Sequence, residues 1–217
     1  MRAFAQLFDD LDSTTSTNEK VAALKVYFHA ANPSDSMWAI QVLTGKISKR
    51  VITSRALRNI FLESTQYPEW LFEESYSHVG DTGETLSLLA HSLNLCRETP
   101  AEGGFSLTEW MEVQIPSLAA LKESALQSAK LLGWWRDLTY QEIFILNKLI
   151  TGAFRVGVSE KLVIRALAEV FDVPSDQVAH RLTGNVKTGA DVFAQLISKE
   201  ATELSFSQPY PFCLAHP

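Results

Sequence analysis

The chain has 217 residues, 46% hydrophobic and 20% charged, with a net charge of −6. That is enough apolar material for a sizeable core, and the charge is too dilute for a disordered tail. Two distant cysteines, Cys96 and Cys213, with no Cys-x-x-Cys, exclude a disulfide framework and point to a reducing cytosol.

The opening twenty residues carry acids early and no long apolar run, so no signal peptide is read there. Nowhere does an apolar stretch approach the ~20 residues of a membrane helix. Ser16-Thr-Asn-Glu19 reads as a capping box opening a helix to Ala30, and Asn32-Pro33 ends it. Helices follow over Asp35–Leu43, Arg55–Ser64 with Ser54 as cap, and from Pro68 to His78. Gly80-Asp81-Thr82-Gly83 breaks the pattern, with Asp81 a natural N-cap, and Glu84–Leu93 resumes it. Cys96–Gly104 is a loop and the expected lobe boundary. Ser106-Leu-Thr-Glu109 is a second capping box. Pro116 is expected to start a helix ending at Gly133, and Thr139-Tyr-Gln-Glu142 boxes another to Ile150. Helices from Ser159, over Ser175–Leu182 and over Thr188–Lys199 complete the list, and the Pro- and aromatic-rich end reads as linker. The expectation is an all-α fold: one compact, two-lobed domain of about eleven helices over residues 1–205, with an extended linker at 206–217.

Three of these helices end alike, in Leu43-Thr44-Gly45, Ile150-Thr151-Gly152 and Leu182-Thr183-Gly184. A basic residue follows each: Lys46, Arg155 and Lys187. Glycine at a helix end is ordinary, because it accepts the left-handed conformation without strain. It also lets backbone approach a ligand closely. A following helix N-terminus then offers unpaired N–H groups and the positive end of a dipole, which suits phosphate. The acidic whole argues against nucleic acid, but the charge is polarised. Residues 36–62 hold Lys46, Lys49, Arg50, Arg55 and Arg58 and no acid, while 148–165 carry a local excess of +3. The five histidines show no metal-ligand spacing, no nucleophile elbow occurs, and Gly80–Gly83 lacks a preceding strand and is no nucleotide loop. The tryptophans, Trp70 among them, read as core, and Glu73, Glu74 and Tyr76 as a solvated helix face. The residues leave two readings open: a polyanion binder and an all-α protein-interaction module.

The stretch Lys148–Phe171, KLITGAFRVGVSEKLVIRALAEVF, resembles the most recognisable segment of the N-terminal DNA-binding domain of ATP-dependent DNA ligases. The bacterial type is similar also in Leu43–Arg58, Pro68–Leu89, Ala179–Gly189 and the closing YPFCLAHP. The likeness is weakest in the first fifteen residues and in Glu98–Gly104. It implies a helical domain lying across the minor groove of nicked duplex DNA and holding phosphates, in DNA repair, replication or recombination. By the resemblance, Gly152, Arg155, Gly157 and Lys161 would form one contact set. Gly45, Lys46, Lys49 and Arg50 would form a second, and Gly80, Gly83, Gly184 and Lys187 further ones. The family's nucleotidyl transfer uses the lysine of a Lys-x-Asp-Gly motif, which is absent here. The resemblance therefore implies a piece that is inactive alone and needs no cofactor. ATP, Mg2+, and the adenylation and OB domains would belong to the parent enzyme, a cytoplasmic, nucleoid-associated protein. The domain itself is expected to be a monomer.

Overall fold

In a computed structural model of the chain, residues 1–47, 50–154, 157–183 and 187–199 are described. The all-α expectation holds: among these residues there is no strand, only an isolated bridge between Arg97 and Thr139. The helices are α1 (Arg2–Asp12), α2 (Thr17–Ala30), α3 (Pro33–Leu43), α4 (Ser54–Thr65), α5 (Glu69–Val79), α6 (Thr82–Ser92), α7 (Leu107–Glu109), α8 (Ile115–Ala119), α9 (Ser124–Asp137), α10 (Tyr140–Thr151), α11 (Glu160–Phe171), α12 (Ser175–Leu182) and α13 (Ala190–Leu196). The linker expected at 206–217 lies outside the described residues.

The chain divides into two compact units. One comprises Met1–Asp9 and Ile47–Phe154, the other Asp10–Lys46 and the residues after Phe154. The boundary expected near Cys96–Gly104 instead lies inside the first unit.

The first unit is built on α10, whose residues Ile143, Ile145, Leu146 and Ile150 are buried. Thr139 and Glu142 cap it reciprocally, as the sequence indicates, and both side chains are themselves buried. α10 packs on α6, and α4 and α5 pack on α6 in turn. Phe61 of α4 meets Phe72 of α5 and Trp135 of α9. Phe8 of α1 meets Phe144 edge-on at 5.2 Å between centroids. Helix α1 carries no N-cap signal and was not expected from sequence.

Pro116 does not start a helix. A rod runs from Leu107 to Ala119, with a π turn over Trp110–Gln114 and Pro116 inside α8. Proline cannot donate to the carbonyl one turn back, and the wider turn just before it absorbs that loss. The rod then breaks at residues 120–123, and Gly133 sits inside α9 rather than ending it.

In the second unit α2 lies along α11, burying Leu24 and Phe28 on one side and Val163, Ala166 and Leu167 on the other. α3 packs on α13 and α12 on α11. Ser16 accepts from the Glu19 N–H, but the expected box is rearranged: the Glu19 carboxylate accepts from the Thr14 hydroxyl. Helix α4 is capped by Thr53 rather than Ser54.

Candidate nucleic-acid interface

In the first unit the segment after residue 49 docks on the end of α10. Val51 and Ile52 donate backbone N–H groups to the Ile150 carbonyl at 2.8 and 3.1 Å. Arg50 donates through Nε to the Thr151 carbonyl at 3.3 Å. These donors satisfy carbonyls that the last helical turn leaves unpaired. Gly152 follows in the left-handed region, at φ 67°, which only glycine enters without strain. Two parts of the sequence-predicted set, Arg50 and Gly152, are thereby brought together. Arg50 is exposed and has no carboxylate partner among the described residues.

Gly80 and Gly83 sit differently. Gly80 closes α5, and Asp81 caps α6 by accepting from the Glu84 N–H at 3.0 Å. The other Asp81 oxygen pairs with Lys148, whose ammonium also lies 5.4 Å from the Phe144 ring centroid. Gly83 is buried, and its carbonyl accepts from Asn147 Nδ2 at 3.2 Å. A Cβ there would come within 3.4 Å of the Asn147 Cβ. Gly83 is thus a packing position under α10, and the α6 N-terminus is already occupied by a carboxylate.

In the second unit Lys46 follows Gly45, which ends α3 at φ 69°. Its ammonium donates to the Leu182 carbonyl at 2.7 Å and to Glu160 Oε1 at 2.9 Å. The charge expected to meet phosphate is therefore compensated by an acid in the first turn of α11. Gly157 stands at φ 60°, and its carbonyl accepts from Lys20 Nζ at 3.3 Å. Ser159 occupies the N-cap position of α11 without a side-chain hydrogen bond. Lys161 is exposed in that first turn, at one end of an open groove between α11 and α12. Lys161 and Lys187 have no carboxylate partner among the described residues. Lys49, Arg155 and Gly184 lie outside the described residues.

Two further cations of the basic stretches, Arg58 and Arg165, are also paired. Arg58 bridges Glu69 and Glu73 over the Phe72 ring, and the hydrogen bond to Glu69 chiefly raises its pKa. Lys25 and Arg165 share Glu169, whose carboxyl they hold below its ordinary value, Lys25 foremost. Trp70, expected in the core, is 71% exposed.

Arg50 at the Gly152 turn and Lys161 in the first turn of α11, after Gly157, have no carboxylate partner among the described residues. The family comparison decides whose they are: a model described as DNA ligase N terminus matches residues 1–168. The chain belongs to this family. The match begins at residue 1, so it includes the opening residues in which the sequence resemblance was weakest. It stops short of Ala179–Gly189 and YPFCLAHP. A relative named probable DNA ligase, from Opitutus terrae (strain DSM 11246 / JCM 15787 / PB90-1), is 27% identical across 99% of this chain and 24% of its own length. The ligase-family chain thus spans about a quarter of that relative.

Sequence reading of this DNA ligase N-terminal chain gave no partner to three residues that hold these turns and caps: Lys20, Glu160 and Lys148. Each acts through a partner at least 67 residues away, so no local spacing betrays it. Among the described residues no helix is long and apolar enough to cross a membrane, and no cluster of three or more His, Cys, Asp or Glu side chains could hold a metal.

Proposed function

We propose that this chain is the duplex-gripping domain of a bacterial ATP-dependent DNA ligase, holding nicked DNA through its phosphates. Adenylation and sealing would fall to other residues of that ligase, using ATP and Mg2+. This chain carries no Lys-x-Asp-Gly lysine to attack a nucleotide. Its partners would be nicked duplex DNA and the adenylation and OB domains of the same enzyme.

Beyond family membership, one observation carries the reading: positive charge without a compensating acid stands at glycine turns. Arg50 lies against the turn at Gly152, and Lys161 follows the turn at Gly157. Cations and backbone N–H groups at such turns bind phosphate and read no sequence. Arg155 and Lys49 would add to the two sets. Lys46 would join only by leaving Glu160.

A gel shift of the chain with nicked duplex at low salt tests this. A shift that survives a change of DNA sequence and fades with added salt supports the reading. No shift at any salt would leave the all-α protein-interaction module as the better account.

A further inference from the structure

We infer that Lys20, on α2, is a further positioning residue for the proposed grip on DNA. It donates to the carbonyl of the Gly157 turn and brings that turn a positive charge with no carboxylate beside it among the described residues. The inference rests on the proposed function and adds to it a residue 137 positions away from the turn.

In sequence Lys20 is an ordinary charge in the first turn of α2. Packing changes its meaning. α2 lies along α11, and this carries the Lys20 ammonium to 3.3 Å from the Gly157 carbonyl. Gly157 holds φ 60°, and a Cβ built on it would meet the same ammonium at 3.4 Å. The turn and the lysine are therefore in direct contact.

Three other cations of this unit are held by carboxylates, unlike Lys20. Lys25 and Arg165 are both satisfied by Glu169, and Lys46 by Glu160. Glu19, next to Lys20 in sequence, turns its carboxylate to the Thr14 hydroxyl instead. Among the described residues Lys20 meets only a backbone carbonyl, which orients it without cancelling its charge. A fixed full charge, two residues before the N-cap of α11, adds to the positive end of the helix dipole there. Lys161 adds a second charge inside the first turn. A phosphate approaching the Gly157 turn would meet Lys20 already held in place.

The test is a salt titration of duplex binding with wild type, Lys20→Gln and Lys20→Arg, alongside thermal melts. Glutamine removes the charge and, one bond shorter, also loosens the hydrogen bond to Gly157, whereas arginine keeps both charge and donor. We expect Lys20→Gln to bind about three- to ten-fold more weakly at low salt, with a log–log slope shallower by about 1. Lys20→Arg should match wild type, and the melts of both variants should stay near it. A Lys20→Gln slope equal to wild type overturns the inference while leaving the proposed function standing. So does a loss that Lys20→Arg shares together with a lowered melt, because that marks a packing residue. Failure of the wild type itself to bind overturns both.

Discussion

Arg50 and Thr151, 101 residues apart in sequence, are joined by a hydrogen bond from the guanidinium Nε to the backbone carbonyl. The bond seats a cation beside Gly152 and leaves the rest of the guanidinium without a carboxylate among the described residues. Arg50→Ala should therefore weaken binding to unrelated duplex sequences equally, and make the salt slope shallower by about 1. Stability should change by less than about 1 kcal/mol, because the residue is exposed. Filter binding at several salt concentrations checks this. Loss for one sequence only would contradict phosphate contact.

Glu160 makes the opposite prediction. Its carboxylate holds Lys46 at 2.9 Å, with the two side chains 44% and 25% exposed. A pair that open to solvent contributes roughly 0–1 kcal/mol to folding. Glu160→Gln should cost little stability, release Lys46 and remove a negative group from the turn. Duplex affinity should rise by about two- to five-fold, which corresponds to roughly 1 kcal/mol or less. Unchanged or weaker binding would place Lys46 away from the DNA.

Asp81 and Lys148 should not be equivalent. Lys148 is 10% exposed at its side chain, and Asp81 both pairs with it and caps α6. Asp81→Ala strands a buried ammonium and uncaps a helix, and should cost about 3–5 kcal/mol in urea unfolding. Lys148→Met leaves the cap in place and fills the site with apolar atoms, so it should cost clearly less. Equal costs would mean that the buried charge is relieved in another way.

Acid should loosen the second unit through Glu169. Lys25, then Arg165, lowers the Glu169 pKa from its ordinary 4.5. A depressed carboxyl contributes stability above its unfolded value and loses it as pH falls through the folded value. Urea midpoints should therefore fall on the acid side of 4.5, and Glu169→Gln should flatten that fall. The same acid limb in both proteins would assign the sensitivity to other carboxyls, such as Asp172 beside Lys199.

Features set by residues within one helical turn were legible before the fold was known. The boxes at Ser106/Glu109 and Thr139/Glu142 form as written, and Asp81 caps α6. Where two local signals compete, the reading slips by a residue, as at Thr53 and Ser54. Proline misled more seriously: at 116 it marks a repaired helix interior rather than a start. Trp70 shares its helix face with Glu73, Glu74 and Ser77 at three-, four- and seven-residue spacing, a polar face that periodicity could have flagged. The site was half legible for a deeper reason. Charge windows along the chain count Lys46 and Arg58 as available, yet packing brings Glu160, Glu69 and Glu73 to them. The same packing supplies Lys20 to Gly157, which no window includes.

The most direct test of the central claim is a salt titration of the chain on nicked and intact duplexes of two unrelated sequences. Contact with about five phosphates predicts a log–log slope of about −4 to −5, the same for both sequences. A flat salt dependence, or no complex even at low salt, would contradict the account.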